Sequence, residues 1–387
     1  MIRVSKSIVG KKESKAVENV IRNVGYLGMG EEVRCFENEL ETYIGNSDYK
    51  AMCVNTGTSA LHLALESVTN PGDEVLVPSF TYIATYQAIT AARCIPISCE
   101  INEDTLLIDL YDAERRLTNK TKVILPVLFA SNPFDLTKLY AFSKKYNLRV
   151  IEDAAHAFGC NYNGKKIGAQ GDIVCFSFDG IKNITSGEGG AIFTSDVKVI
   201  DYIKDARLLG VEKDTEKRYD GQRSWDFDVS VQGYRYHMSN IFAAIGRVQL
   251  KRFEKEFAVS RKNLAKKYTS LLKINNNIKL IEMDYDNIVP HIFSIRVNSD
   301  LRDQLFDVLL EKGIQCGMHY KPNHLLTKYK DKIDSFKYFY NINFRGIGAF
   351  KFKEVFQIES DSIYTINSFD YFKDFSNYIN ELQSFTI

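Results

Sequence analysis

The chain has 387 residues, which is enough for a large α/β domain with a smaller companion and excludes a peptide or an isolated binding module. Fifty lysines and arginines against 49 aspartates and glutamates leave a net charge of +1, so no broad positive field is available to attract nucleic acid or anionic lipid. The sequence therefore favours a small-molecule partner, with no nucleic acid and no membrane.

Cysteine usage and hydropathy bear on the compartment. The seven cysteines are odd in number and form no Cys-x-x-Cys pair, so we expect reduced thiols without disulfides or a metal site. The amino terminus lacks the apolar core of a secretory leader, and no apolar run reaches the roughly eighteen residues of a membrane span. We expect a cytoplasmic protein.

The hydrophobic pattern predicts two opening helices, over 11–23 and 31–43, and then short apolar runs that alternate with helical ones. This rhythm is typical of βαβ crossovers and a mostly parallel sheet, so the fold class is α/β. The predicted strands are 51–54, 73–78, 94–100, 122–129, 148–153, 172–178 and 191–195, and the intervening helices are 58–68, 83–92, 110–117 and 135–146.

A second, smaller domain is predicted after a long apolar-periodic helix at 239–268. Strand-like runs at 279–283 and 291–297 and a helix at 300–312 belong to it, whereas the last fifty residues receive no assignment. We divide the chain into a large domain, 1–250, and a small carboxyl-terminal domain, 251–387.

Three separate features carry candidate chemistry. Residues 55–60 (NTGTSA) follow a strand and open a helix, so backbone N–H groups and hydroxyls could bind a phosphate; the alternative is an ordinary capped helix. Asp153 ends a predicted buried strand at the edge where parallel sheets bind ligands, although it could equally cap a helix. Lys182 follows a later strand and precedes the glycine-rich SGEGG; taken alone, it would be a solvated lysine.

Together the three features match what pyridoxal phosphate requires, because the phosphate ester, the pyridine nitrogen and the aldehyde each need a partner. The segment 55–60 is neither a Walker A sequence nor a dinucleotide fingerprint, which disfavours a nucleoside triphosphate or an NAD-linked enzyme.

Five segments, in this order, resemble signatures of the DegT/DnrJ/EryC1/StrS family of sugar aminotransferases: NTGTSALHLAL, GDEVLVPSFTYIAT, VIEDAAHAFG, FSFDGIKNITSGEGG and GYRYHMSNIFAAIGRVQL. The resemblance implies a pyridoxal-phosphate enzyme of fold type I, with a mostly parallel mixed sheet in the large domain and a smaller α+β domain. It further implies a homodimer with shared active sites that transfers an amino group from an amino acid, usually L-glutamate, to a keto group of a nucleotide-linked deoxysugar.

Position by position, Lys182 resembles the catalytic lysine that binds the cofactor aldehyde, and Asp153 resembles the partner of the pyridinium nitrogen. The other positions implied to bind the cofactor are Gly57, Thr58, Ser59, Tyr82, His156, Ser177 and Arg235. The positions implied to bind the substrate are Tyr26, Leu27, His319 and Tyr320.

The sequence departs from the family pattern in the functional segments. Arg235 stands where the family more often has an asparagine that reaches the cofactor phosphate of the neighbouring subunit, and Asp179 stands where histidine is common. SFDGIKN, GYRYHMSN and HYKPNHLL resemble the branch that acts on dTDP-3-keto-6-deoxysugars, with 4-keto sugars as the alternative. A sugar dehydratase, which has histidine at the position of Lys182, and a DNA-binding regulatory protein are less favoured.

Overall fold

The computed structural model describes residues 5–133, 135–275, 278–297, 299–330 and 354–359. Its helices are α1 (Lys11–Asn19, continued by a π-helical turn at Val20–Val24), α2 (Glu31–Ile44), α3 (Gly57–Glu66), α4 (Ile83–Ala91), α5 (Leu110–Arg115), α6 (Leu136–Tyr146), α7 (Val197–Ala206), α8 (Asp214–Tyr219), α9 (Asn240–Arg252), α10 (Val259–Leu272), α11 (Ser299–Glu311) and α12 (Thr327–Lys330). Its strands are β1 (Lys50–Val54), β2 (Glu74–Pro78), β3 (Ile95–Cys99), β4 (Thr121–Ile124), β5 (Arg149–Asp153), β6 (Asn161–Tyr162), β7 (Lys165–Lys166), β8 (Ile173–Ser177), β9 (Gly190–Thr194), β10 (Lys279–Leu280), β11 (Ile292–Val297), β12 (Gly317–Met318) and β13 (Glu354–Glu359).

Seven strands form the central sheet, in the order β1-β9-β8-β5-β4-β2-β3. The neighbouring strands β8, β5, β4, β2 and β3 are all parallel to one another. In contrast, β9 runs antiparallel to its two neighbours, β1 and β8. Successive residues of a strand pack on opposite faces: Phe176 of β8 enters one apolar core, and Cys175 enters the other. The predicted α/β fold with a mostly parallel mixed sheet is confirmed.

A smaller antiparallel sheet, β10-β11-β13-β12, lies in the carboxyl-terminal part of the chain. Side chains of α10, β11 and α11 form its separate apolar core. The helical run from α9 to α10 links the two parts of the chain. Phe257 and Ala258 pack in the core of the central sheet that contains Phe176, whereas Ala265 packs in the core of the smaller sheet. Along this helical run the change of core lies between Ala258 and Ala265, beyond the predicted boundary at 250, and the division of the chain into two domains stays a proposal.

Two predicted strands are much shorter in the structure than the apolar runs suggested, and of the run 279–283 only Lys279–Leu280 forms a strand, β10. Residues 122–129 were expected to be one strand, but β4 ends at Ile124, and Phe129–Ser131 form a 3-10 turn. Pro126 follows two residues after the strand end and cannot donate a ladder hydrogen bond, which explains the early end. The expected extension of the small domain through 331–353 and 360–387 lies outside the described residues.

The cysteines and helices also bear on the sequence expectations. All seven cysteines are free thiols. None of the helices in the described part of the chain combines the length and apolar character needed to cross a bilayer.

Candidate active site

A cavity of about 370 Å³ lies at the carboxyl ends of β5 and β8, beside the start of α3. Most of the predicted site residues line it: Gly57, Thr58, Tyr82, Asp153, His156, Ser177, Lys182, His319 and Tyr320. Residues separated by more than two hundred positions in sequence therefore meet at the edge of the sheet where parallel α/β folds bind ligands.

The amino terminus of α3 forms one end of the cavity. Thr56 caps the helix, because its Oγ1 accepts a hydrogen bond from the Ser59 N–H at 3.0 Å. Gly57 lies so close to Ser177 that a Cβ at position 57 would be 2.7 Å from the Ser177 Cβ. The first N–H groups of a helix have no partner within the helix, so this compact corner suits a phosphate.

Ser59 is not part of the cavity wall. Its hydroxyl lies 2.7 Å from Asn55 Oδ1 and 2.8 Å from the Thr56 carbonyl oxygen, so it belongs to the helix cap. The structure therefore brings Gly57, Thr58 and Ser177 to the cavity but leaves the Ser59 hydroxyl in the cap.

Asp153 is buried at the end of β5 and is held by two hydrogen bonds. Thr85 Oγ1 donates to Oδ2 at 2.9 Å, and the Ala155 N–H donates to Oδ1 at 3.2 Å. Burial raises the pKa of Asp153, while Thr85, Ala155 and the positive charge of Lys182 oppose that rise. A protonated ring nitrogen would act in the same direction as Lys182 and stabilise the carboxylate.

Lys182 lies in a loop that backbone hydrogen bonds close on both sides. Its own N–H donates to the Asp179 carbonyl at 3.1 Å, and the Ser186 N–H donates to the Phe178 carbonyl at 2.9 Å. The Phe178 N–H donates in turn to Gly189 at 2.8 Å, which ties the loop to the start of β9. The lysine is thus fixed in the cavity by the connection between two paired strands.

Three imidazoles surround the lysine and carry little positive charge at neutral pH. Burial, followed by the charge of Lys182, lowers the pKa of His156 and of His291 well below the ordinary value. The same two causes lower the pKa of His319 to about 4. Tyr320 Oη lies 3.3 Å from Nε2 of His156, and the His156 and His291 rings are 4.5 Å apart.

Tyr82 and Tyr320 contribute aromatic rings to the cavity wall. The rings of Tyr82 and Tyr320 are 5.7 Å apart, and Phe129 lies 6.1 Å from Tyr320. Tyr82 is 58% exposed, so its ring face is available to a flat ligand such as a pyridine ring.

Tyr26, Leu27 and Arg235 do not line this cavity. Leu27 is 47% exposed, and the Arg235 side chain is exposed. The backbone of Arg235 bridges Leu208, and its carbonyl lies 3.4 Å from Asn55 Nδ2. Leu27 and Arg235 are exposed and Tyr26 is half-buried, and the predicted roles of all three stay proposals.

Thr85 and His291 were missed by sequence reasoning. Thr85 falls inside the segment PSFTYIAT that carried the family resemblance, so the segment held a signal for it. His291 begins an ordinary apolar strand and carries no local signal.

The comparisons with known proteins agree with this geometry. Residues 7–339 match the DegT/DnrJ/EryC1/StrS aminotransferase family. The uncharacterized protein MJ1066 of Methanocaldococcus jannaschii is 34% identical over 330 residues, which are 83% of this chain and 84% of that protein.

Solved structures are similar over nearly the whole chain. DesV of S. venezuelae, solved with a ketimine intermediate, is 28% identical with a TM-score of 0.81, covering 95% of this chain and 94% of DesV. The sugar aminotransferase CalS13 of Micromonospora echinospora is 26% identical with a TM-score of 0.81, and the match covers 100% of both chains.

A lysine after β8, a buried aspartate at the end of β5 and a helix amino terminus meet around one cavity, and together with the family match they identify a pyridoxal-phosphate-dependent aminotransferase. The chain belongs to the DegT/DnrJ/EryC1/StrS aminotransferase family. The residues present fit the cofactor: the corner at Gly57 and Ser177 leaves room only for glycine, the buried Asp153 suits a ring nitrogen, and Lys182 suits an aldehyde.

Proposed function

We propose that this chain, a sugar aminotransferase of its family, transfers the amino group of L-glutamate to the 3-keto group of a dTDP-linked 6-deoxyhexose. The observation that carries the proposal is the meeting of Lys182, Asp153 and the start of α3 in one cavity. Support for a sugar substrate comes from the similarity to the sugar aminotransferase CalS13. Support for the 3-keto position comes from the segments SFDGIKN, GYRYHMSN and HYKPNHLL.

Each residue in the cavity has a separate task. Bound pyridoxal phosphate supplies a ring that takes up the electron pair left when a proton is removed from the donor's α-carbon. Asp153 holds a proton on the ring nitrogen, which makes the ring a better electron acceptor. The amine of Lys182 would hold the aldehyde of the cofactor and would serve as the acid and base that moves the proton between carbon atoms.

The order of events would follow from the need to hold the amino group in the site after the donor has left and before the acceptor enters. The amino acid must react first and leave as a keto acid before the keto sugar enters the same cavity, so ping-pong kinetics are expected. Lysine at position 182 also favours amino transfer over the dehydratase reaction, for which the family has histidine at this position.

The charges around the cavity support a shared site in a homodimer. The described residues that line the cavity include one lysine, Lys182, and no arginine. They include three acidic residues, Asp153, Asp179 and Glu188. The cofactor phosphate and the two carboxylates of glutamate are anionic, so this wall alone holds too little positive charge for them. A cation from a second subunit would correct the balance.

Arg235 is the residue we propose for that role. The rings of Tyr234 and Tyr236 stack at 4.9 Å, and both lie near His62 on α3. Side chains alternate along an extended segment, so Arg235, between the two tyrosines, points away from α3 and is exposed. A guanidinium offered to the neighbouring subunit could bind the cofactor phosphate through two hydrogen bonds.

The test is a substrate panel. The purified protein is incubated with L-glutamate and nucleotide-linked 3-keto or 4-keto deoxysugars, and NMR of each product locates the new amino group. Amination at carbon 3 of the dTDP sugar is the expected result, and exclusive amination at carbon 4 would contradict the finer assignment.

A further inference from the structure

The part of the cavity wall that contains His319 and Tyr320 belongs to a segment that crosses from the small sheet to the central one. Residues 319–324, here called the strap, follow β12 and lead towards α12, and the first two of them line the cavity. Beyond the strap, Tyr329 of α12 packs in an apolar core of the central sheet, with its ring 5.1 Å from that of Tyr86. The position of Tyr320 therefore depends on how the strap is attached to the central sheet.

Asn323 attaches the strap to the segment that follows β2. It is 1% exposed, and its Nδ2 donates to the carbonyl oxygens of Ser79 at 3.1 Å and of Thr81 at 2.7 Å. Its backbone N–H also donates to the Ser79 carbonyl at 2.9 Å. The neighbouring His324 adds a second attachment, because its Nδ1 lies 2.7 Å from Ser79 Oγ. Two adjacent buried side chains thus hold the strap to the end of a strand in the central sheet.

The segment that receives Asn323 also supports the carboxylate of Asp153. Thr85 Oγ1 donates its one proton to Asp153 Oδ2 at 2.9 Å, so the 3.0 Å contact between Thr81 Oγ1 and Thr85 Oγ1 has Thr81 as its donor. Thr81 therefore takes part in both contacts, through its hydroxyl and through its carbonyl oxygen. The attachment fixes Tyr320, three residues before Asn323, relative to Asp153.

We propose that Asn323 is a positioning residue, which holds the strap so that Tyr320 keeps its place in the wall of the substrate cavity. The assignment rests on the proposed function, since it takes this cavity as the place where the substrates bind. Tyr320 makes the substrate contact, and Asn323 acts only through it. A loosened strap would hold Tyr320 in place for a fraction of the time, and the apparent affinity for the substrate falls by that fraction. The limiting rate at saturation stays the same, because bound substrate selects the correctly placed strap.

The experiment compares Asn323→Leu, which removes both side-chain hydrogen bonds but keeps the size of the residue, with Tyr320→Leu and the double variant. Stopped-flow absorbance of the glutamate and keto-sugar half-reactions gives an apparent dissociation constant and a limiting rate for each. We expect Asn323→Leu to raise the dissociation constant about tenfold for the substrate that Tyr320→Leu also weakens, with the limiting rate unchanged. The double variant should bind no more weakly than Tyr320→Leu alone.

One further readout does not depend on turnover. Hydrogen exchange of the resting holoenzyme, followed by mass spectrometry, should be faster across the strap in Asn323→Leu and unchanged in β5 and β8. Ser79→Ala removes only the attachment to His324, so it should shift the same dissociation constant by a smaller factor, and it replaces Asn323→Leu if that variant does not fold.

Asn46→Leu is the matched control. It removes a hydrogen bond from Asn46 Nδ2 to the Ala169 carbonyl at 2.8 Å, in the loop after α2, and neither residue lines the cavity. This variant should lower the melting temperature without changing either dissociation constant.

The outcomes distinguish the two proposals. If the wild type aminates a keto sugar but the losses of Asn323→Leu and Tyr320→Leu add in the double variant, Asn323 does not act through Tyr320, and its assignment is wrong while the proposed function stands. Faster exchange in the strap with unchanged dissociation constants would show that Asn323 has only a structural role. If the wild type aminates no keto sugar, the proposed function is wrong, and the glutamate half-reaction of the same variants decides the role of Asn323.

Discussion

Two opposing effects set the pKa of the buried Asp153 carboxyl. Burial favours the neutral form, whereas the contacts of the carboxyl favour the charged form. Thr85, the Ala155 N–H and Lys182 all oppose the rise in pKa that burial causes. The carboxylate is therefore poised to be stabilised further by a positively charged ring nitrogen.

Asp153→Asn should preserve the fold but slow the glutamate half-reaction by roughly 10²- to 10⁴-fold, because a neutral amide cannot hold the ring proton and the removal of one partner of a buried charge pair costs roughly 3–5 kcal/mol. Stopped-flow absorbance with glutamate measures this rate. Thr85→Val is the matched control: it removes one hydrogen bond to the same carboxylate and should cost about 10-fold. An unchanged rate in Asp153→Asn would mean that the carboxyl has only a structural role.

Successive side chains of β5 point to opposite faces of the sheet, so two adjacent carboxyl groups are separated. Asp153 lines the cavity, whereas Glu152 points to the other side of the sheet, where its Oε1 accepts a hydrogen bond from Tyr140 at 2.5 Å. Glu152 and Asp153 are adjacent in the sequence, but of the two only Asp153 belongs to the site.

Burial raises the pKa of Glu152 from 4.5 to about 7; the Tyr140 hydrogen bond opposes the rise, and the charge of Asp172 adds to it. The folded state therefore binds this proton more tightly than the unfolded state, so stability falls as the pH rises from about 4.5 to about 7 and stays reduced above that range. Glu152→Gln should raise the free energy of unfolding at pH ~8 by roughly 1–3 kcal/mol, with the gain vanishing below pH ~4.5.

Denaturant unfolding across this pH range measures the effect. Glu18→Gln, on the exposed face of α1, is the control and should leave the curve unchanged. Wild-type and Glu152→Gln curves that run parallel at every pH would show that Glu152 does not take up a proton on folding.

Elements with a strong local pattern were predictable, but the pairing between them was not. The predicted helix 58–68 is α3, Gly57–Glu66, because apolar periodicity and a threonine cap are local signals. The insertion of β9 between β1 and β8 has no such signal, since it depends on contacts between distant segments.

The same limit applies to the site. Lys182 and Asp153 sit at strand ends that the pattern located, and family resemblance gave them roles. His291 acquires its neighbours only when the small sheet folds against the large one, so no spacing in the sequence marks it.

At the scale of the whole molecule, the proposal that each active site uses residues of two subunits predicts complementation between two inactive variants. Lys182→Ala and Arg235→Ala should each be inactive alone. In a mixed dimer, one site carries both lesions and the other carries neither, so up to half of the wild-type activity per mixed dimer should return after subunit exchange. Activity of the mixture, measured against each variant alone, tests this.

If Arg235 served its own subunit, every site of the mixed dimer would keep one lesion and no activity would return. A strictly monomeric active protein would also contradict the shared site. An exposed arginine without this role would contribute at most about 1 kcal/mol to stability, and Arg235→Ala would then keep its activity.

The most direct test of amino transfer to a sugar follows one nitrogen atom. The protein is loaded with ¹⁵N-labelled L-glutamate, freed of excess donor, and mixed with a dTDP-3-keto-6-deoxyhexose; NMR and mass spectrometry then follow the label. We predict that the label appears on the sugar in an amount equal to the active sites, and that Lys182→Ala transfers none. A deoxygenated sugar without nitrogen, label that stays on the protein, or equal transfer by Lys182→Ala would contradict the account.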